Sequence, residues 1–195
     1  MHGTTIVAVH RDGVSAIAGD GQVTLGDTIV KKGAVKVRTL HDERVLVGFA
    51  GAVSDAFTLL DKFEGHLDSS RGNLVKAAVE TVKEWRTDRV LRNLEAMLIV
   101  ADSEQILTLS GMGDVIAPDE PVVAVGSGGA YAQAAALALL RHTAMGAQEI
   151  ARLSLAIAAD IDIYTSGTAT VLTVSEEQTV SEEQSENGDS GEEAP

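Results

Sequence analysis

The stretch TTIVAVHRDGVSAIAGDG, from Thr4 to Gly21, decides the fold of this chain. Thr4–His10 is β-branched and apolar, Arg11–Gly13 is a turn signal, and Val14–Ala18 is apolar again. Two short runs of this composition, joined by an Asp-Gly turn, are typical of a β-hairpin. The segment therefore predicts two antiparallel strands that form part of a buried sheet.

Beyond this hairpin, the pattern alternates between blocks of strands and pairs of helices. A period of three to four residues predicts helices around Ala56–Leu67 and from Leu74 to Trp85, with Asn73 as the N-cap of the second. A second helix pair is predicted at Gly128–His142 and Ala147–Ile161. The predicted buried face of the last helix consists of Ile150, Leu153, Ile157 and Ile161. The further predicted strands are Gln22–Leu25, Thr28–Lys31, Val35–Leu40, Val45–Phe49, Ala96–Ala101, Gln105–Ser110, Pro121–Val125 and Thr168–Val174.

This order of elements is not the alternating strand–helix order of a doubly wound fold. It predicts an α+β sandwich, with mainly antiparallel sheets inside and helices on both outer faces.

Composition narrows the functional classes. The chain has 195 residues, a formal net charge of −14 and no cysteine. Such acidity argues against a nucleic-acid or anionic-membrane surface, and the lack of cysteine excludes disulfides, a thiol nucleophile and Cys-ligated metals. We find no basic and apolar leader pattern, so we expect a soluble protein of the cytoplasm. Eight acids and no Lys or Arg lie in 175–195, which predicts a solvated acidic tail after a folded domain over 4–174.

Several common catalytic patterns are missing. The turn Gly126–Gly129 follows a strand and opens a helix, but Tyr131 breaks the dinucleotide pattern, so a tight turn is the simpler interpretation. Alternatively, this turn presents Ser127 at the mouth of the sheet. No nucleophile elbow occurs, and the five histidines do not have the spacing of a zinc helix.

The adjacent threonines Thr4 and Thr5 allow two interpretations. Threonine is common in strands, and this alone would explain both residues. If Met1–Gly3 were removed, however, the free α-amine of Thr4 could act as the base for its own hydroxyl. Such a site also needs a cation, an acid that fixes the cation and backbone N–H groups for the oxyanion. Lys36, Asp20 and the strand end Gly48–Gly51 could supply these groups, although a structural Asp20–Lys36 salt bridge is the simpler interpretation.

The sequence resembles a known family, the HslV (ClpQ) family of bacterial proteasome-like threonine proteases. The resemblance is nearly collinear from Gly3 to Val174. It is carried by Thr4–Val7, Gly19–Gly26, Lys36–Arg38, Gly48–Gly51, Asp55–Leu59, Trp85–Arg89, Leu94–Asp102 and Gly126–Gly129.

The resemblance implies the four-layer αββα sandwich of N-terminal nucleophile hydrolases, with residues 1–3 as a propeptide. It implies Thr4 as the nucleophile, Asp20, Lys36 and Ser127 as supporting polar residues, and Gly48 as an oxyanion donor. It also implies a double hexameric ring that receives unfolded proteins from an HslU-type AAA+ ATPase ring, which activates the peptidase allosterically. ATP would bind to that partner, because this chain has no Walker loop.

The resemblance further implies a sodium ion held by the main-chain carbonyls of Ala159, Asp162 and Thr165. This chain departs from the family pattern there, because Asp162 stands where the family commonly has Cys. A carboxylate at this position would either strengthen cation binding or reshape the loop. The acidic tail, 175–195, is a second departure.

Two other functions remain open at this stage. One is an N-terminal nucleophile amidohydrolase that acts on small amides, and the other is a non-catalytic ring subunit of the same fold.

Overall fold

The computed structural model describes residues 4–51, 53–89, 91 and 96–176, and gives only the backbone of residues 53–56. The predicted propeptide Met1–Gly3 lies outside the described residues, and so does the predicted tail 175–195 from residue 177 onward. The first residue of the predicted tail, Ser175, belongs to the last strand, so the folded domain extends beyond the predicted end at residue 174. Within them, the strands are β1 Thr5–Arg11, β2 Val14–Asp20, β3 Val23–Leu25, β4 Thr28–Lys31, β5 Val37–Leu40, β6 Val45–Gly51, β7 Ala96–Ala101, β8 Ile106–Ser110, β9 Val115–Ile116, β10 Val122–Gly126 and β11 Ala169–Ser175. The helices are α1 Val53–Ser69, α2 Leu74–Thr87, α3 Gly129–His142 and α4 Ala147–Ile161.

Two antiparallel sheets form the centre of the molecule. One has the strand order β10-β1-β2-β11, and the other has the order β5-β6-β7-β8-β9. A buried cluster that includes Ile6, Ile17, Val37, Leu46 and Ile99 fills the space between them. Both faces of each sheet are therefore covered, which explains why β1 and β6 have continuous rather than alternating apolar patterns.

A pair of helices covers the outer face of each sheet. The helices α1 and α2 pack on the five-stranded sheet through a cluster that includes Phe63, Leu67 and Trp85. The helices α3 and α4 pack on the four-stranded sheet through a cluster that includes Ala136, Ile150 and Leu155. The predicted αββα sandwich is confirmed. No helix within the described part of the chain is long and apolar enough to cross a membrane.

The predicted N-cap of α2 is confirmed, because the Asn73 side chain accepts a hydrogen bond from Lys76 N. The predicted buried face of α4 is only partly correct. Ile150 is fully buried and Leu153 half-buried, but Ile157 and Ile161 are 42% and 54% exposed. The side chains that face the sheet are Ala147, Ile150, Ala151, Ser154, Leu155 and Ala158. Small residues let the helix approach the sheet closely, and a pattern of large apolar residues does not reveal this.

The strand register brings four strand ends to one edge of the first sheet. Thr5 at the start of β1 pairs with Gly126 at the end of β10. Asp20 at the end of β2 pairs with Ala169 at the start of β11. At the opposite end of β11, Ser175 pairs with Val14. Of the candidate catalytic residues, Thr4, Asp20 and Ser127 therefore lie at or next to the edge where β1 begins.

Candidate active site

Thr4 lies immediately before β1 and is 9% exposed. Its carbonyl accepts a hydrogen bond from Ser127 N at 2.9 Å. The following amide, Thr5 N, donates to Asp20 Oδ1 at 2.8 Å. The main chain beside Thr4 is therefore held on one side by the turn after β10 and on the other by the end of β2.

Gly126 permits this close approach of the two strands. Its φ is +97°, and a Cβ built on it would lie 1.8 Å from Thr4 O. No side chain fits at that distance, and L-residues with a Cβ rarely adopt such a φ. Glycine is therefore required at position 126 to place the Thr4 carbonyl.

Asp20 and Lys36 form a buried ion pair next to Thr4. Lys36 Nζ donates to Asp20 Oδ1 at 2.8 Å and to Gln22 O at 2.5 Å. The exposed fractions of Asp20 and Lys36 are 0% and 4%. Burial lowers the pKa of Lys36, and the neighbouring Asp20 carboxylate opposes this effect without cancelling it. Lys36 can therefore lose its proton more easily than an exposed lysine.

The Asp20 carboxylate also holds the backbone around it. Its Oδ2 accepts hydrogen bonds from Gln22 N at 2.8 Å and from Ser166 N at 3.3 Å. Asp20 thus connects the end of β2, the loop before β11, Lys36 and the residue that follows Thr4.

Gly48 lies in β6, opposite Val37. A Cβ there would meet Ile6 Cγ2 at 2.7 Å, so packing between the sheets requires a glycine. The next residue, Phe49, donates its N–H to Lys36 O at 3.2 Å, toward β5. Successive N–H groups along a strand point to opposite sides, so Gly48 N–H points toward β7. Gly51 N–H points to the same side as Phe49 N–H, but it lies past the first residue of β5 and so has no β5 strand residue opposite it. This orientation favours Gly51 over the predicted Gly48 as an oxyanion donor.

Ser127 and Asp162 are in contact at the rim of the site. Ser127 Oγ donates to Asp162 Oδ2 at 2.7 Å, and its 3.5 Å distance to Thr4 O is much longer. The same Oδ2 accepts a hydrogen bond from Thr165 Oγ1 at 2.5 Å. The structure therefore brings Thr4, Asp20, Lys36 and Ser127 together, and their catalytic roles stay a prediction.

The residues predicted to hold sodium lie on one short segment. Ala159 is in the last turn of α4, Asp162 caps that helix, and Thr165 N donates to the Asp162 carbonyl at 3.0 Å. All the proposed donors are oxygens, which suits a hard cation such as sodium. The Asp162 carboxylate accepts hydrogen bonds from Ser127, Thr165 and Tyr164 N. These bonds use the carboxylate to fix the loop, and the sodium site itself stays a prediction.

Two further residues, Thr5 and Gln22, contribute side-chain hydrogen bonds to the site that the sequence did not predict. Thr5 is fully buried, and its Oγ1 contacts Thr165 Oγ1 at 2.6 Å. Gln22 donates from Nε2 to Thr24 Oγ1 and to Ile163 O, each at 3.0 Å. The only sequence signal was the pair of adjacent threonines, and strand propensity explained Thr5 equally well.

Comparisons with known proteins show the family of this chain. The family model of the proteasome subunit matches residues 1–174. The ATP-dependent protease subunit HslV of Desulfovibrio desulfuricans is 58% identical over 174 residues, which cover 89% of this chain and 98% of that protein.

Solved structures give the same result. A crystal structure of eukaryotic HslV from Trypanosoma brucei superposes with a TM-score of 0.83 at 43% identity, and the match covers 88% of this chain and 99% of that one. Thiobacillus denitrificans BPH in complex with epoxomicin shares the fold, with a TM-score of 0.66 at 20% identity over 88% of this chain and 98% of that one. With its sandwich fold and these relatives, the chain belongs to the proteasome subunit family, among its HslV-type members.

Proposed function

We propose that this chain is the peptidase subunit of an ATP-dependent protease and hydrolyses peptide bonds of unfolded proteins with the Thr4 hydroxyl as nucleophile. One observation carries the proposal. The main chain around Thr4 is fixed between Ser127 and Asp20, and Asp20 also holds the buried Lys36. If the Asp20–Lys36 ion pair had only a structural role, it would not need to lie beside Thr4.

The first step of the proposed reaction needs a free α-amine on Thr4, and therefore the removal of Met1–Gly3. The amine accepts the hydroxyl proton while Thr4 Oγ1 bonds to the carbonyl carbon of the substrate. The protonated amine then gives its proton to the leaving nitrogen, and the C–N bond breaks. This leaves the first part of the substrate as an ester on Thr4.

In the second step, water attacks this ester, and the amine takes one proton from the water. The ester C–O bond breaks, the proton returns to Thr4 Oγ1, and a carboxylic acid is released. Both steps pass through an oxyanion, which we assign to backbone N–H groups of the strand end Gly48–Gly51, with Gly51 favoured by its orientation.

Lys36 and Asp20 have electrostatic roles in this proposal. The Lys36 ammonium lowers the pKa of the nearby Thr4 amine, so more of the amine is in the free-base form at neutral pH. The Asp20 carboxylate holds Lys36 in place and compensates its charge in a buried site. Ser127 fixes the Thr4 carbonyl through its own N–H.

We further propose that the chain assembles as a double hexameric ring and receives substrates from an HslU-type AAA+ ATPase ring, which activates it allosterically. The name of the D. desulfuricans relative, an ATP-dependent protease subunit, supports an ATPase partner, and the ring arrangement and allosteric activation rest on the resemblance to the HslV family. The proposed location is the cytoplasm, which suits a chain without cysteines.

A sodium ion held by the main-chain carbonyls of Ala159, Asp162 and Thr165 is also proposed. Its role would be to neutralise and stiffen the loop next to Ser127. A rise in melting temperature with added sodium chloride, but not with equal choline chloride, would support this site. Equal effects of the two salts would contradict it.

The substitution Thr4→Ala tests the main proposal. We expect the variant to fold and assemble but to lose cleavage of a fluorogenic peptide, while the wild type loses residues 1–3 by intact mass. Thr4→Ser should keep part of the activity, because it retains the hydroxyl and the amine.

Full activity of Thr4→Ala, or of a chain that retains Met1–Gly3, would overturn the proposal. Hydrolysis of small amides but not of peptides, with or without the ATPase, would indicate an amidohydrolase instead. An unprocessed and inactive wild type that a threonine-directed inhibitor does not label would indicate a non-catalytic subunit.

A further inference from the structure

Thr5 has two separate anchors in the structure. Its main-chain N donates to Asp20 Oδ1 at 2.8 Å. Its side-chain Oγ1 accepts a hydrogen bond from Gly128 N at 2.9 Å and lies 2.6 Å from Thr165 Oγ1. The side chain is fully buried. The residue after the proposed nucleophile is therefore held more tightly than ordinary strand pairing requires.

The direction of these hydrogen bonds follows from the number of protons. A hydroxyl has one proton to donate. Thr165 Oγ1 donates its proton to Asp162 Oδ2, which is an acceptor when ionised. Thr165 must therefore accept from Thr5, and Thr5 accepts in turn from Gly128 N–H. The result is a directed chain that starts at an amide and ends at a carboxylate, with Thr5 in its middle.

A second route reaches the same carboxylate oxygen. Ser127 N–H holds the Thr4 carbonyl, and Ser127 Oγ donates to Asp162 Oδ2. Both the Thr4 carbonyl and the Thr5 side chain are thus tied to Asp162 Oδ2. Hydrogen bonds of this kind, with an ionised acceptor, are stronger than those between neutral groups.

The space around this hydroxyl chain is closed. A Cβ on Gly128 would lie 2.6 Å from Thr5 Oγ1, 2.7 Å from Thr165 Oγ1 and 3.2 Å from Asp162 Oδ2. The missing side chain at Gly128 is what leaves room for the three groups. The Thr5 hydroxyl therefore lies in a closely packed place beside the Gly128 backbone.

We propose that Thr5 is a positioning residue, whose hydroxyl fixes the start of β1 and thereby the orientation of Thr4. The inference rests on the proposed function of Thr4. Once residues 1–3 are removed, Thr4 has no covalent neighbour on its amino side. The backbone of Thr4 is then oriented by the hydrogen bond to its own carbonyl and by residue 5. Because a small misplacement of a nucleophile lowers the reaction rate by a large factor, the anchoring of Thr5 matters for catalysis.

The test compares Thr5→Val with Thr5→Ser in the full chain. Valine keeps the shape but removes the hydroxyl, so we expect kcat to fall about tenfold or more with little change in KM. Serine keeps the hydroxyl and should restore kcat to within about threefold of the wild type. The rate at which a threonine-directed covalent inhibitor labels Thr4 should change in parallel, with rates normalised to the processed fraction found by intact mass.

A matched control is Thr81→Val. Thr81 is 1% exposed, and its hydroxyl donates to Ala77 O within α2, on the other outer layer, so its substitution should leave kcat unchanged. The variant Thr165→Val breaks the same hydrogen bond from the other side. Because the two hydroxyls form one chain, the double variant should lose little more than either single variant.

These outcomes separate the two proposals. If the wild type is not labelled at Thr4, the proposed function fails. If the wild type is labelled, and Thr5→Val matches it in both labelling rate and kcat, the positioning role is overturned. If the losses of the two single variants added up in the double variant, the proposed hydrogen-bond chain from Thr5 to Thr165 would also be overturned. Should Thr5→Val fail to fold, Thr165→Val decides the matter by the same measurements.

Discussion

Lys36 donates from Nζ to Asp20 Oδ1 over 2.8 Å, and this same oxygen accepts the amide hydrogen of Thr5. One carboxylate oxygen therefore holds both the buried cation and the backbone of the residue after the proposed nucleophile. Loss of this carboxylate should therefore free both Lys36 and the start of β1, so stability and catalysis are linked at this atom.

The first prediction concerns that carboxylate. Asp20→Asn leaves Lys36 buried without a negative partner, and breaking a buried ion pair costs about 3–5 kcal/mol in the free energy of unfolding. We also expect peptidase activity to fall at least about a hundredfold, because charge, nucleophile position and backbone are disturbed together. Urea denaturation and a peptide assay measure the two effects.

A suitable control is Glu80→Gln, which removes the exposed ion pair with Lys83. It should change neither the urea midpoint nor the activity. If Asp20→Asn behaved like this control, the central role of Asp20 would be wrong.

The second prediction is a bell-shaped dependence of kcat/KM on pH. Activity should rise as the Thr4 amine loses its proton, at or below about pH 8. It should fall when Lys36 loses its proton, and burial lowers the pKa of Lys36, so this fall should come below the ordinary lysine value of about 10.4.

The fall at alkaline pH should not be due to unfolding through Lys36. Between its lowered folded pKa and its unfolded pKa, the unfolded chain binds more protons, so the contribution of Lys36 to stability rises with pH. Circular dichroism at each pH separates the two causes. Activity that stays constant beyond pH 10.4 while the protein remains folded would contradict the electrostatic role of Lys36.

The third prediction concerns Gly126. Gly126→Ala places a Cβ against the Thr4 carbonyl and requires an unfavourable φ, so we expect a loss of about 2–4 kcal/mol of stability and nearly all activity. Gly65→Ala is the control, because Gly65 lies in α1 with no atom within 4 Å of the added Cβ. That change should stabilise the protein by up to about 1 kcal/mol. Equal thermal shifts for both variants would refute the strain argument.

The fourth prediction concerns the acidic tail. Deletion of residues 177–195 should leave peptidase activity and coupling to the ATPase unchanged, because β11 is complete at Ser175. Peptide cleavage and ATP-dependent degradation of an unfolded protein, each measured with the truncated chain, check this. A loss of either would show that the tail has a function of its own.

The sequence predicted the architecture well, because β1 is a continuous apolar run, α2 has a clear helical period and the order of elements excludes a doubly wound fold. It failed where small residues make the contacts. The face of α4 with Ala151, Ser154 and Ala158 has no large apolar side chains to mark it. The short strand β9 was missed, since two residues provide no period.

For the site, the sequence indicated residue types and the structure added their contacts. Asp20, Lys36 and Ser127 could be named from motifs, but the sharing of Asp20 Oδ1 depends on the register of β2 with β1. Thr5 and Asp162 could not be connected, because they are far apart in the chain and meet only through Thr165. Hydrogen-bond direction along that path needs coordinates.

The path of β11 has a practical consequence for labelling this protein. The strand starts opposite Asp20 and ends opposite Val14, so six residue steps of about 3.3 Å carry the chain about 20 Å away from the catalytic edge. A fluorophore attached at Ser175, the last residue of β11, would therefore lie far from Thr4. If residues 1–3 are removed as we propose, a tag at the amino end would be released with them, and its loss would report processing at Thr4.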